Sequence, residues 1–481
     1  MDIRAGLIIP FVLSICAFRR YPLVSIRNLS IALMNLSLIA GTLLLPYAIE
    51  QDKFYIVDPN LYASSVNMSI VFAIITSSFV ALPILILDMT LKNKLNFPVT
   101  LKINSFFQRL ETIPAVKAFS VLLVSTLIGS SLIWYVFMQT GNIPYINVNE
   151  SAKYFYGFTE QYIPLRPLYV LGQQILAVSG LISIIYIMQA ASVKKSFLFI
   201  SLLSFSTLIL LLTLKRGEIF YPFTTLIGGL VLSQKINKRN MISLILIVSI
   251  ISYIAMLIDP GNINKPFANK LRNISRLNSL APETPLPNIA EISDTEAFRI
   301  SNKQFLKFLT SAFGVKVRES ARLIYNFRLK NLSFLYGRTF LAGIVGFIPT
   351  EYFKFKEKYQ IGRITLGIFG INKETSGGPR IGLHGEGYIN FGISGVLILP
   401  AILGAFIWFL DKFYISTLNT STGKGIFLMT TLFFITQHLV LGLFSDGSGA
   451  IQTFIIRTAI ITAILSSLMF IACHRKQKEC N

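Results

Sequence analysis

Apolar runs about as long as a bilayer is thick recur along the chain, and they constrain its fold more than any other feature. Residues 29–49, 65–87, 118–138, 167–191, 241–258 and 426–444 are each long enough to cross a ~30 Å hydrocarbon layer as a helix. A membrane β-barrel would instead show alternating stretches of roughly 10 residues, and the runs here are continuous. Hydrophobic residues make up 53% of the 481 and mean hydropathy is +0.63, beyond what a soluble core of this size uses. The expected fold is an all-α polytopic membrane protein with about 11 transmembrane helices, in a range of 10–14.

The formal charge of +22 invites a nucleic-acid reading, but the basic residues fall in short clusters between apolar spans, not along one face. Topology explains them better, and no nucleic-acid partner is expected. Arg19, Arg20 and Arg27 form one cluster, and Lys92, Lys94, Lys102, Arg109 and Lys117 a second. Lys194 with Lys195, then Lys235 with Lys238 and Arg239, and finally Arg475, Lys476 and Lys478 follow. The positive-inside bias places these connections in the cytoplasm. Segments 50–64 and 139–165 carry only Lys53 and Lys153 and face outward. Residues 1–18 resemble a signal peptide, but Arg19 and Arg20 follow directly and no convincing cleavage site does, so a short first helix is expected.

Three domains follow from this rhythm. Residues 1–258 hold the N-terminal transmembrane helices, 259–385 a large external loop domain, and 386–481 the C-terminal transmembrane helices. Within the external segment, 281–289 contains three prolines and reads as extended or loop-like. Residues 294–330 mix charged and apolar types at helical spacing and suggest amphipathic helices lying on the mouth of the bundle. Residues 334–348 are apolar but interrupted by Gly337, Gly343 and Gly346, which suits an interfacial or re-entrant hairpin.

Soluble-enzyme motifs are missing: there is no phosphate-binding lysine loop, no GxGxxG, no GxSxG and no HExxH. Cys16, Cys473 and Cys480 stand in or beside cytoplasmic span ends, and His384, His438 and His474 are dispersed, so no disulfide framework, metal site or cofactor is expected. Polar residues concentrate instead in two places. The first is 214–218, a turn that carries Lys215, Arg216 and Glu218 between apolar spans. An arginine at that depth must snorkel, pair or line a polar cavity, so Arg216 is either a ligand-binding residue or a helix anchor paired with Glu218. The second is 377–395, with five glycines between Gly377 and Gly387 followed by an apolar span at 396–410. There Arg380 offers a planar fork for phosphate oxygens. His384 and Glu386 offer proton acceptors, and Tyr388 and Asn390 offer stacking and hydrogen bonding to a sugar. The bland alternative is a glycine-rich start of a helix with Glu386 complementing its dipole.

Residues 384–395, read as Glu386-x-Tyr388-x-Asn390-Phe391-Gly392-x-x-Gly395, resemble the "E-x-Y-x-N-F-G-x-x-G" segment of the Wzy-type O-antigen and oligosaccharide repeat-unit polymerases. Upstream, 334–340 with Gly346-Phe347-Ile348-Pro349 is similar to that family's "G-x-(T/S)-(Y/F) … F-I-P" stretch, and Lys215-Arg216-Gly217 resembles its membrane-embedded Arg-Gly turn. The chain departs from the family in lacking an Arg-x10-Gly repeat and in having Lys215 where Ser is common.

The resemblance implies a membrane glycosyltransferase of the bacterial inner membrane, with its active side in the periplasm. It would join undecaprenyl-pyrophosphate-linked oligosaccharide units into O-antigen or a related surface polysaccharide, beside membrane lipid and a chain-length regulator protein. The diphosphate is already a good leaving group, so the protein's work would be to hold its charge and orient an acceptor hydroxyl. Arg216, Arg338, Arg363 and Arg380 are the expected phosphate ligands, and Glu386, ahead of His384, the expected base. Two alternatives stay open. An O-antigen ligase would also use a functional His near a following helix, as at His384. A flippase would show charges in the bundle centre, where few are expected here.

Overall fold

A computed structural model describes residues 7–18, 24–49, 57–91, 99–141, 143–144, 165–189, 193–213, 216–233, 315–348, 352–369, 381–418 and 425–480. Among them the fold is all-helical, with no strand. In chain order the helices are α1 (Ile8–Ala17), α2 (Ile26–Ile49), α3 (Pro59–Thr90), α4 (Val99–Glu111), α5 (Ala115–Thr140), α6 (Arg166–Gln189), α7 (Val193–Leu212) and α8 (Arg216–Ser233). After the undescribed 234–314 come α9 (Val315–Leu329), α10 (Arg338–Ile344), α11 (Lys354–Tyr359), α12 (Ile361–Ile368), α13 (Gly382–Phe391) and α14 (Ile393–Leu418). The chain closes with α15 (Ile426–Ile435), a π turn (Thr436–Leu441), α16 (Gly442–Asp446) and α17 (Gly449–Cys480).

Among the described residues, six stretches are long and apolar enough to cross a membrane: Pro59–Thr90, Ala115–Thr140, Arg166–Gln189, Ile393–Leu418, Ile426–Asp446 and Gly449–Phe470. Five of them contain or closely match the runs at 65–87, 118–138, 167–191, 396–410 and 426–444. The run at 29–49 lies within α2, whereas 241–258 and the proline-rich 281–289 lie outside the described residues. Helices suit lipid because each satisfies its own backbone hydrogen bonds. Asp58 starts α3 by accepting from the Asn60 and Leu61 amides at 3.0 and 2.9 Å, with Pro59 as the first helical residue.

Two packed groups of helices make up the core. In one, α6 lies among α5, α7, α8 and α17; in the other, α14 runs along α3 and beside α2. Small residues let these backbones approach, as expected where lipid removes the hydrophobic drive between helices. A Cβ on Gly172 of α6 would stand 2.8 Å from the Gly129 carbonyl of α5, too close for any side chain. A buried ion-pair group fastens the second layer. Arg27 pairs with Asp88 and, through its backbone amide, donates to Asp411 at 3.1 Å. Trp408 Nε1 donates to Asp88 at 2.8 Å, and Lys412 lies 3.4 Å from it. Arg27, read from the sequence as a topology signal, is therefore also an internal clamp joining α2, α3 and α14.

Of the amphipathic helices expected over 294–330, the described α9 seats its apolar stripe in the protein: Val317, Ala321, Leu323, Ile324, Tyr325 and Phe327 are buried, and it packs on α3, α2 and α13. Tyr325 Oη accepts from the Val57 and Asp58 amides at 3.0 Å each, and Ser69 Oγ donates to the Val317 carbonyl at 2.8 Å. The short α10, continued by a 3-10 turn at Val345–Phe347, keeps Leu341, Ile344 and Phe347 exposed. Seven residues rise only about 10 Å, too little to span.

Candidate functional site

The two stretches around 334–340 and 384–395, some fifty positions apart, come together. The Leu335 and Tyr336 amides donate to the Ile389 and Asn390 carbonyls at 3.0 and 2.9 Å. Each stretch also covers the other's left-handed glycine. Gly337 (φ +79°) lies under Phe391, where a Cβ would come within 2.9 Å of the ring, and Gly392 (φ +66°) lies under Phe334, at 3.2 Å. Gly392 also ends α13, so the motif is a short helix of its own that turns sharply into α14; it does not run straight into the span.

Glu386 is the centre of this junction and is wholly buried. Its Oε1 accepts from Thr339 Oγ1 at 2.5 Å, and its Oε2 accepts from the Ser448 amide at 2.6 Å. Asn390 Nδ2 donates to Thr339 Oγ1 at 2.7 Å and to the Glu386 carbonyl at 2.8 Å. Gly447, at φ +63°, makes the turn into α17 directly against the carboxyl group, and a Cβ there would collide with Oε2. Burial pushes the Glu386 carboxyl above the usual range, against the opposing pull of its hydrogen bonds to Ser448 and Thr339. Glu386 is therefore a staple joining α13, α10 and the start of α17, with both oxygens engaged inside the protein. It does not sit at an open helix mouth.

His384, on the first turn of α13, is buried with its ring over Gly382, where a Cβ would lie 3.3 Å from the imidazole. Below it Ser320 Oγ of α9 donates to the Ile381 carbonyl at 2.5 Å. Tyr388 is half-buried among Phe72, Phe327 and Phe334, with ring centroids 5.2, 6.0 and 6.2 Å away. Asn390 is enclosed and serves the junction. Neither is laid open for a sugar in this arrangement.

Of the four candidate phosphate arginines, two are described through their side chains. Arg338 is exposed; its Nη1 donates to Tyr359 Oη at 3.0 Å and its guanidinium stands 5.2 Å from that ring. Arg363, on α12, shares a positive neighbourhood with Arg166 and Lys356. Lys356 Nζ donates to the Gly346 and Ile348 carbonyls at 2.9 and 2.7 Å. Partial burial, and then the charges of Arg166 and Arg363, hold its ammonium below the usual lysine range. Mutual repulsion of this kind is relieved by an anion nearby. Arg380 and Lys215 lie outside the described residues, as does the side chain of Arg216; only the backbone of Arg216, at the start of α8, is described.

A second polar cluster was not anticipated. Arg457 of α17 is buried; its Nη2 pairs with Glu218, its Nε donates to Gln174, and its Nη1 lies 2.7 Å from His438 Nε2. Its guanidinium carbon stands 3.9 Å over the Tyr221 ring, and Gln174 Nε2 donates to Glu218 Oε1 at 2.9 Å. The described partners of Glu218 are thus Arg457 and Gln174. Few charges were expected in the bundle centre; Arg457 lies mid-way along Gly449–Phe470, whereas the Arg27 group lies towards helix ends. Arg457 was legible in principle: it is an ionisable residue inside an apolar run, the pattern that marked Arg216. Thr339 fills the T/S position of the resembling 334–340 stretch, whereas Ser448 carries no signal, since isolated hydroxyl residues are common in apolar helices. No protein-family model matches the chain, and neither a curated protein nor a solved structure is similar enough to count as a match.

Proposed function

We propose that this chain is a membrane glycosyltransferase that polymerises polyprenyl-diphosphate-linked oligosaccharide units on the outer face of a bacterial inner membrane. The observation that supports this reading most is the convergence of the two resembling stretches into one hydrogen-bonded junction, centred on Glu386, Thr339 and Asn390. A shared site requires the two stretches to meet, so their meeting supports the reading.

In this reading the acceptor hydroxyl oxygen attacks the anomeric carbon of the donor glycan. The bond from that carbon to the diphosphate oxygen breaks with its electron pair on the leaving polyprenyl diphosphate. The positive neighbourhood of Arg166, Lys356 and Arg363, with Arg216, Arg338 and Arg380, carries the leaving charge. Because both Glu386 oxygens are engaged, the proton of the acceptor goes to His384, and Glu386 shapes the floor on which His384 and Tyr388 stand. The diphosphate bond supplies the driving force, which fits a chain with no nucleotide-binding motif.

A strain deleted for this chain tests the reading against its rivals. A polymerase deletion leaves lipid A-core capped by at most one repeat unit. A ligase deletion leaves bare core with long glycan on the polyprenyl carrier, and a flippase deletion leaves no translocated unit. The second and third patterns each count against the proposal.

A further inference from the structure

We infer that Arg457 is a positioning residue, which holds the outer starts of α6 and α8 in register with the Glu386 junction by using α17 as a common strut. The activity arm of the test below rests on the proposed function; the geometric arm does not.

Along α17 three contacts follow one another. Just before its first turn the Ser448 amide donates to Glu386. Gln452 Nε2 then donates to the Gly346 carbonyl at 2.8 Å, the same oxygen that accepts from Lys356. Nine residues beyond Ser448, about 13 Å along the helix, Arg457 reaches Gln174, Glu218 and His438 at once. Gln174 is two turns from Arg166, the first residue of α6, and Glu218 is two residues from Arg216, the first of α8. One guanidinium therefore ties both cation-bearing helix starts to the helix whose end is stapled to Glu386.

His438 reaches this cluster from the π turn at Thr436–Leu441, a widened coil that is frequent at functional sites. Its neighbour Gln437 is fixed as well, accepting from Thr225 at 2.8 Å and donating to Thr224 at 3.2 Å. A buried ion pair is poor value as stabilisation alone, because desolvation offsets most of its attraction. Four helices meeting on one planar fork is what fixing a relative position requires.

The test uses the purified full-length chain in nanodiscs, with a lipid-linked repeat unit as substrate. Arg457→Gln and Glu218→Gln each leave a lone buried charge and lower the melting temperature. The double variant leaves none and recovers most of that loss. Its turnover at saturating substrate nevertheless stays on the order of tenfold to a hundredfold down, with KM little changed, because alignment and not binding is lost. Arg457→Lys keeps a charge opposite Glu218 but cannot reach Gln174 and His438 together, so it folds at normal yield with reduced turnover. In the geometric arm, without substrate, amide exchange quickens at 216–221 and 382–391 in both the double variant and Arg457→Lys. Wild-type turnover in either folded variant, a loss confined to KM, or unchanged exchange at both segments overturns the inference. A wild-type chain that makes no polymer while the exchange arm behaves as expected removes the proposed function and leaves the strut standing.

Discussion

Replacing Glu386 separates a buried staple from a catalytic base, because the two roles give different dependences on side chain and on pH. Glutamine keeps the shape and one acceptor oxygen for the Ser448 amide, but it must present its NH2 to Thr339, which already accepts from Asn390. One buried hydroxyl then loses its acceptor, a loss of about 1–3 kcal/mol. Alanine strips the acceptors from both donors and removes one buried methylene, about 0.8 kcal/mol before any cavity term. The sum is roughly 3–7 kcal/mol, enough to remove most of the folded protein.

The pH dependence has a definite sign. Burial raises the carboxyl above 4.5, so the folded chain holds this proton more tightly than the unfolded chain. Its stabilising contribution is fully present below that value and is lost as pH rises through the folded value, with a slope of at most about 1.4 kcal/mol per pH unit. Thermal unfolding of wild type and Glu386→Gln from pH 4 to 9 should therefore show wild type losing ground to the glutamine variant as pH rises. Turnover per folded molecule of Glu386→Gln should stay within a few-fold of wild type. Parallel curves, or wild type gaining on the variant with rising pH, refute the staple reasoning. A folded glutamine variant slowed by about 10²–10⁴ makes Glu386 the base after all.

Further expectations follow from the same contacts. Gly447→Ala forces an unfavourable φ and drives a methyl into the Glu386 carboxyl, so it should cost at least the ~1–3 kcal/mol of backbone strain, read as a lower melting temperature. Arg338→Ala loses only an exposed contact with Tyr359, about 0.5–1 kcal/mol, so a large fall in glycan length at normal protein level would mark it as ligand-facing. Arg363→Gln and Lys356→Met should each weaken inorganic diphosphate binding by on the order of tenfold, measured by calorimetry; unchanged affinity removes that cluster as the phosphate site. With single cysteines on a cysteine-free background, an impermeant reagent should label position 293 and not 416 in spheroplasts, and the reverse would invert the topology.

Much of the helical framework was legible, because a 20-residue apolar run in lipid has little choice but to be a helix. α3, α5, α6 and α14 fall where composition puts them. What hydropathy could not show is which polar residues face one another. Thr339 and Ser448 become partners of Glu386 only through the return of two distant segments, and their spacing in sequence carries no trace of that meeting. Arg457 was hidden differently: an average over its apolar run dilutes a single charge, although that charge joins four helices. For α9, helical spacing shows an amphipathic helix but not what its apolar stripe meets, and in the structure that is α3.

The central claim is tested most directly by adding a single synthetic lipid-linked repeat unit to the purified chain in nanodiscs and resolving the lipid-borne products by length. The account predicts a ladder of two, three and more units growing on the polyprenyl carrier, with polyprenyl diphosphate released in step. Folded protein that leaves the repeat unit unextended, or that extends it only onto added lipid A-core, contradicts it.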